Sequence, residues 1–384
     1  MLTFLKISWD WISNPTLLKI VSNPYLLFVI GLILLIKGGD WFVDGASGIA
    51  QKFHVPEILI GATVVSIGTT LPEVMVSAGA AFRGNSGIAY GNALGSIVCN
   101  TALIAALTIA IRPSKADRKP LILPVTFFFL AAAVYVGVAY VTKDFNRGVG
   151  ILLLAMFVVY MVLTVRQAIR GNRATAASAK EAAGPDGEPS KVSAETAEKA
   201  AEEQTAESAE PTESAESAKG ESSRALWFLL FLLVLGAALI AVGADLLVDN
   251  AEIIASRFGV PDSVIALTVV ALGTSLPELV TAVTSLIKGH SSLSLGNIIG
   301  ANLFNLVLVS GAAITIRPFG LPCEKSLFGI NSSLLVDIPV VLLVMIILTV
   351  PTLRRGKLVR AQGVALLATY AAFIGFQIFS ALCL

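Results

Sequence analysis

About ten uninterrupted apolar runs, each near or above twenty residues, dominate this chain and constrain its fold more than any other feature. A helix needs roughly 20 mostly apolar residues to cross the hydrocarbon core of a bilayer. The runs fall near 24–46, 57–83, 87–111, 120–141, 148–168, 225–249, 262–287, 292–316, 331–350 and 358–382. They are continuous rather than alternating, which favours helices over a membrane β-barrel. Composition agrees: 55% of the 384 residues are hydrophobic and 14% charged, against about 25% charged in a soluble domain. The expected fold is an all-α integral membrane protein of about ten transmembrane helices, with the lipid bilayer as its first partner. A net charge of +1 gives no sign of a nucleic-acid partner. Cys99, Cys323 and Cys383 lie far apart without metal spacing and read as apolar packing residues. No A-x-A cleavage site follows the first residues, so no removed signal peptide is expected. Trp9, Trp11 and two lysines suit residues 1–20 to the membrane interface.

The composition changes abruptly over 171–223, a segment of Ala, Glu, Ser and Lys with almost nothing to bury. It reads as a solvated linker. It divides the chain into 1–170 and 224–384, and the two parts match. Val55–Pro113 and Val260–Pro318 align at a constant offset of 205 without a gap, with 22 of 59 positions identical. Upstream, Asp40 and Asp44 match Asp245 and Asp249 at the same offset. With five spans per half, the second copy enters the membrane from the opposite side, giving two inverted five-helix repeats. Basic residues then distribute 14 against 8 between the two faces, linker lysines aside. The richer face carries the linker, so the linker is expected in the cytoplasm and both termini outside.

Within each repeat an acid stands in a greasy run: Glu73 in GTTLPE and Glu278 in GTSLPE. An ionised carboxylate at a helix centre costs about 2.5–3.5 kcal/mol on insertion scales. No lysine or arginine lies within the ten residues N-terminal of either glutamate. A cation from outside the chain is the expected partner. The neighbouring Gly and Pro are expected to free carbonyls around 66–70 and 271–275, and a hard cation satisfies such groups. Thr63, Ser66, Thr70, Glu73 and Ser77 follow helical spacing, and Thr268, Ser275, Glu278, Thr281 or Ala282, and Ser285 trace a patchier counterpart. The next helices add Asn92, Ser96 and Asn100 against Asn297, Ala301 and Asn305. An oxygen and amide donor set selects Ca²⁺ or Na⁺ over zinc or copper. Asp40, Asp44, Asp245 and Asp249 read as helix-end residues rather than ion ligands.

GTTLPE with GNALGSIVCN, and GTSLPE with GNIIGANLFN, closely resemble the α-repeats of the cation/Ca²⁺ exchanger superfamily, on its Na⁺/Ca²⁺ exchanger side. The resemblance implies a ten-helix inverted-repeat antiporter with four ion sites at its centre. It implies Ca²⁺ held through Thr69, Glu73, Thr274 and Glu278. It implies Na⁺ sites built with Ser66, Ser77, Ser96, Asn100, Ala271, Ser275 and Asn305; Thr70 joins the ion pathway from its place on the helical stripe. Members often have serine where Ala301 stands, and K⁺-transporting members have aspartate where Asn305 stands. The two asparagines leave two carboxylates in the cluster, which argues against strict K⁺ dependence. The form expected is a compact exchanger of a microbial inner membrane, with no cofactor beyond the transported Ca²⁺ and Na⁺. H⁺/Ca²⁺ exchange is the alternative coupling and a passive cation channel a further one. An intramembrane aspartyl protease on Asp40 and Asp245 is disfavoured because supporting residues are absent. Oligomeric state is left open.

Overall fold

A computed structural model of the chain describes residues 23–53, 55–182, 218–258, 273–321, 326–327 and 330–383. Ten helices run through these residues: α1 Pro24–Lys52, α2 Glu57–Phe82, α3 Ser86–Ile111, α4 Arg118–Val141, α5 Arg147–Ala182, α6 Ala218–Arg257, α7 Leu276–Ile287, α8 Ser291–Ile316, α9 Ser333–Arg355 and α10 Arg360–Cys383. Among the described residues nine are long and apolar enough to cross a membrane, and α7 is a shorter apolar helix. Residues 262–272 of the expected seventh span lie outside the described residues, as does most of the linker.

Local chemistry sets the helix ends. The Asn23 side chain accepts from the Tyr25 amide at 3.0 Å and Pro24 opens α1. Asn85 caps α3 by accepting from the Ile88 amide. The residue before it, Gly84, has φ +80°, and its counterpart at offset 205, Gly289, has φ +85°. Both turns need the left-handed region that glycine alone enters cheaply. The duplicated sequence thus carries a duplicated turn.

Contacts between loops establish the inversion. His290, after α7, lies 2.7 Å from Glu57 at the start of α2. Lys115, between α3 and α4, bridges to Lys357, between α9 and α10. Asp144–Phe145, between α4 and α5, pairs antiparallel with Phe319–Gly320, after α8. So α2 begins on the side where its repeat partner α7 ends. The Lys288 side and the Arg83 side are opposite faces.

Helices α2, α3 and α8 are the most buried spans and form the centre. Backbones of α2 and α8 nearly touch: a Cβ on Gly296 would run into the Ile58 carbonyl, and one on Gly300 would sit 2.6 Å from the Ala62 Cα. Three wide π turns interrupt these helices, at Gly61–Val65, Cys99–Ala105 and Asn305–Val309. Their carbonyls lose regular partners and find others. Ser66 Oγ donates to the Gly61 carbonyl at 2.7 Å, Tyr160 to Ala62 at 2.9 Å, and Ser310 to Asn305 at 3.1 Å. In a membrane such repair is obligatory.

Helices α1 and α6 pack antiparallel at the edge of this core. Gly31 faces Gly243 and Gly38 faces Gly236; a Cβ at either of the first pair would meet the opposing backbone at 2.8–2.9 Å. Small residues allow this approach. Helix α1 also runs further than the apolar run that marks it. Asp40 and Asp44 therefore lie within the helix, and not at its end as expected.

The Glu57 contact raises the pKa of His290, burial opposes it, and Asp44 adds to the rise. A raised value means that the pairing contributes fully below the ordinary imidazole pKa of about 6.5. It fades as pH climbs through the higher folded value. An NMR titration of His290 is expected to show a midpoint above that of a free imidazole, and Glu57→Gln to lower it.

Candidate functional site

Helices α2 and α7 each deliver one carboxylate to the packed centre. Glu73 and Glu278 are both fully buried. The Thr70 hydroxyl, one turn before Glu73, lies 3.5 Å from Glu278 Oε1. The Glu278 carboxyl thus packs against the turn of α2 that leads to Glu73. Among the described residues the ion pairs are Lys288 with Asp40 and Asp44, and His290 with Glu57; none involves this carboxyl pair. Among the described residues, both side-chain oxygens of Glu73 and Oε2 of Glu278 have no hydrogen-bond partner, and neither do the Asn100 and Asn305 amides or the Ser275 hydroxyl. Glu73 with Glu278, and Asn100 with Asn305, are images of one another in the two repeats. Buried polar atoms left this way are costly, and here they converge from α2, α3, α7 and α8.

A surrounding set of hydrogen bonds holds these groups. Asn92 donates to the Glu73 backbone carbonyl at 3.1 Å and to Ser77 Oγ at 2.9 Å. Its image Asn297 donates to Thr281 Oγ1 at 3.0 Å, and its own carbonyl oxygen accepts from Ser66 and Thr69 at 3.2 and 3.3 Å. Thr281 in turn donates to the Pro277 and Glu278 carbonyls. Asn297 therefore ties α2 to the first turn of α7. Asn92, Asn297 and Thr281 stand on the polar stripes that were counted in the donor set, and here they bond to protein groups. The bonds from Ser66 and Thr69 to Asn297, across some 230 positions, are what helical spacing alone does not reveal.

The structure brings Ser66, Thr69, Thr70, Glu73, Ser275, Glu278, Asn100 and Asn305 into this centre, with Ser77 bonded to Asn92 at its margin. Ser96 is buried on α3, and Thr274 is half-buried in the turn before α7. Ala271 and Thr268 lie outside the described residues. The two copies differ where they were expected to agree. In the second, Thr274 and Ser275 form a turn and α7 begins at Leu276. In the first, the helix runs unbroken through Pro72, and the loosened turn falls upstream at Gly61–Val65. Cys99 is buried and unpaired, consistent with packing; Cys323 and the Cys383 side chain lie outside the described residues.

Ten helices in an inverted repeat, with two buried acids and oxygen donors at the crossing, define a cation/Ca²⁺ exchanger. The model of the sodium/calcium exchanger protein family matches residues 23–166 and 228–379, and the chain belongs to that family. The sodium/calcium exchanger MaX1 of Methanosarcina acetivorans is 31% identical over 381 residues, 92% of this chain and 98% of its own. The inner membrane protein YrbG of Escherichia coli is 32% identical over 294 residues, 76% of this chain and 79% of its own. The solved structure of the sodium-calcium exchanger NCX_Mj soaked with 10 mM Na⁺ and zero Ca²⁺ superposes with a TM-score of 0.68 at 30% identity, covering 92% of this chain and 98% of that one. The chain is therefore a multi-pass cation/Ca²⁺ antiporter, whose ions are cargo and which needs no cofactor. It is a transporter and not an enzyme, which disposes of the protease alternative.

Groups that orient ligands rather than contact the ion typically change metal affinity by about 10–100-fold when removed. Asn297→Ala is expected to weaken Ca²⁺ binding by about that factor, by isothermal titration, while circular dichroism and membrane insertion stay unchanged.

Proposed function

We propose that the chain exchanges Ca²⁺ for Na⁺ by alternating access, with Glu73 and Glu278 as the charge shared by both ions. One observation carries this reading: two fully buried carboxylates of which, among the described residues, three oxygens have no donor and neither group has a cationic side chain paired with it. Ca²⁺ would be held by the two carboxylates and the Thr69 and Thr274 carbonyls. Na⁺ would use the same carboxylates with Ser66, Ser77, Ser96, Asn100, Ala271, Ser275 and Asn305, and Thr70 would guide Glu278. The unpartnered amide and hydroxyl oxygens favour Na⁺ over H⁺, because a proton on a carboxylate needs none of them.

Charge explains the coupling. The empty site carries about two negative charges in a medium that solvates them poorly. A state loaded with one Ca²⁺, or with monovalent cations, is neutralised and can change its access. Shared ligands make the ions alternate, which is antiport. The moving part is the α1–α6 pair, whose close seam lets it slide as one body across the core. The two five-helix repeats at 1–170 and 224–384 flank the linker. The basic bias puts the linker in the cytoplasm of a microbial cell and the termini outside.

Glu73→Gln and Glu278→Gln are each expected to abolish Ca²⁺ transport in protein that still folds and inserts; transport surviving in both would reject the site. In proteoliposomes, ⁴⁵Ca²⁺ uptake is expected to require an opposing Na⁺ gradient. Uptake driven by a pH gradient alone identifies H⁺ coupling, and uptake with no opposing gradient identifies a channel.

A further inference from the structure

The offset of 205 that relates the repeats maps Asp40, Asp44 and Lys288 onto Asp245, Asp249 and Arg83. On one face of the membrane, the first set is engaged. Lys288 Nζ lies 2.7 Å from Asp44 Oδ1, donates to the Asp40 backbone carbonyl at 3.0 Å, and lies 3.6 Å from Asp40 Oδ1. This ties α1 to the end of α7. On the other face, Arg83 ends α2, and Asp245 and Asp249 lie on α6. All three are exposed, and among the described residues none of them forms an ion pair.

The α1–α6 seam is symmetric, since Gly31 against Gly243 and Gly38 against Gly236 are images of each other. The two faces of the core beneath it are not identical, because α7 begins after a turn at Leu276 while α2 runs unbroken through Pro72. The symmetric pair rests unequally on them. Gly39 of α1 presses on Val280 and Thr284 of α7, where an added Cβ would come within 2.6 and 2.9 Å. Met75, the image of Val280, is 72% exposed on α2, and Val76 is 39% exposed where its image Thr281 is 1% exposed. The outer side of α7 is covered by α1, and the matching outer side of α2 is exposed.

We infer that Arg83 with Asp245 and Asp249 is the second of two mirror-image latches, and that the latches close alternately, fixing which face of the membrane the Glu73–Glu278 centre opens to. The inference rests on the alternating-access reading above. With Lys288 on the cytoplasmic face, the closed latch in the present arrangement is the inner one. The six residues position the sliding pair and do not touch the ions. The engaged pair is part-exposed, 25% at Lys288 and 50% at Asp44, so it is weak. A contact that must be released in every cycle has to be weak.

Two cysteine pairs test this in a background where Cys99, Cys323 and Cys383 are alanine: Asp44→Cys with Lys288→Cys, and Asp249→Cys with Arg83→Cys. The reagent is a short, reducible bis-methanethiosulfonate, applied in proteoliposomes across Na⁺ and Ca²⁺ conditions. Each pair is expected to link, to stop ⁴⁵Ca²⁺ exchange, and to recover on reduction. A four-cysteine protein is expected to form one link or the other in a given molecule. Lys288→Ala should raise the linked fraction of the Arg83–Asp249 pair by up to about fivefold, the worth of an exposed ion pair. Exchanging the charges, Lys288→Asp with Asp44→Lys, should return it to the parent value. Both links in one molecule, or an Arg83-side pair that never links in an actively exchanging protein, would overturn the inference. A parent that does not exchange Ca²⁺ for Na⁺ sinks the functional reading instead, and the exclusivity of the two links still decides the latch.

Discussion

The burial of two acids in one packed centre, with no cationic side chain paired to either among the described residues, is the constraint on which this molecule turns. Glu73 and Glu278 are removed from water entirely, and among the described residues three of their four oxygens have nothing to accept from. In a low-dielectric interior such charges are expensive unless matched. A lysine placed beside them would have made the centre stable and inert. On the proposed reading, leaving the match to a mobile ion would make stability of the centre conditional on cargo.

The scaffold around the acids is correspondingly stiff. Helices α2 and α8 approach to backbone contact at Gly296 and Gly300. Asn297 fastens Ser66, Thr69 and Thr281 in one network. The π turns at Cys99–Ala105 and Asn305–Val309 fall where Asn100 and Asn305 begin their wide turns in the two copies. Such turns re-aim side chains and frequently sit at functional positions. Core and edge are thus held differently: the strong polar network lies inside, and the weak, part-exposed ion pairs lie at the rim.

Much of this was legible in the sequence, for identifiable reasons. Apolar length gave the spans because the bilayer imposes it. The repeat was visible because its identities sit without gaps at one offset, and the acids stood out because their surroundings are greasy. Helix ends were less legible. Helix α1 continues to Lys52 because nothing in SGIAQK breaks it before Pro56, although its polarity ends the apolar run. Helix α5 runs to Ala182 through NRATAASAKEA, an alanine-rich stretch of good helix formers that composition assigned to the linker. The π turns left no signal in residue preference, and α2 absorbed Pro72 without breaking. Long-range partners were hidden altogether: Lys288 meets Asp44 across 244 positions, and neither residue type announces the other.

The α1–α6 pair has glycine on its inner seam and bulky apolar side chains on its outer surface. Ile33, Ile36, Trp227, Phe231 and Val234 are all exposed there. One side of this pair therefore bears on protein and the other is left to acyl chains. A bilayer whose thickness does not match the apolar length of these two helices would act on them first, and on the packed core only through them.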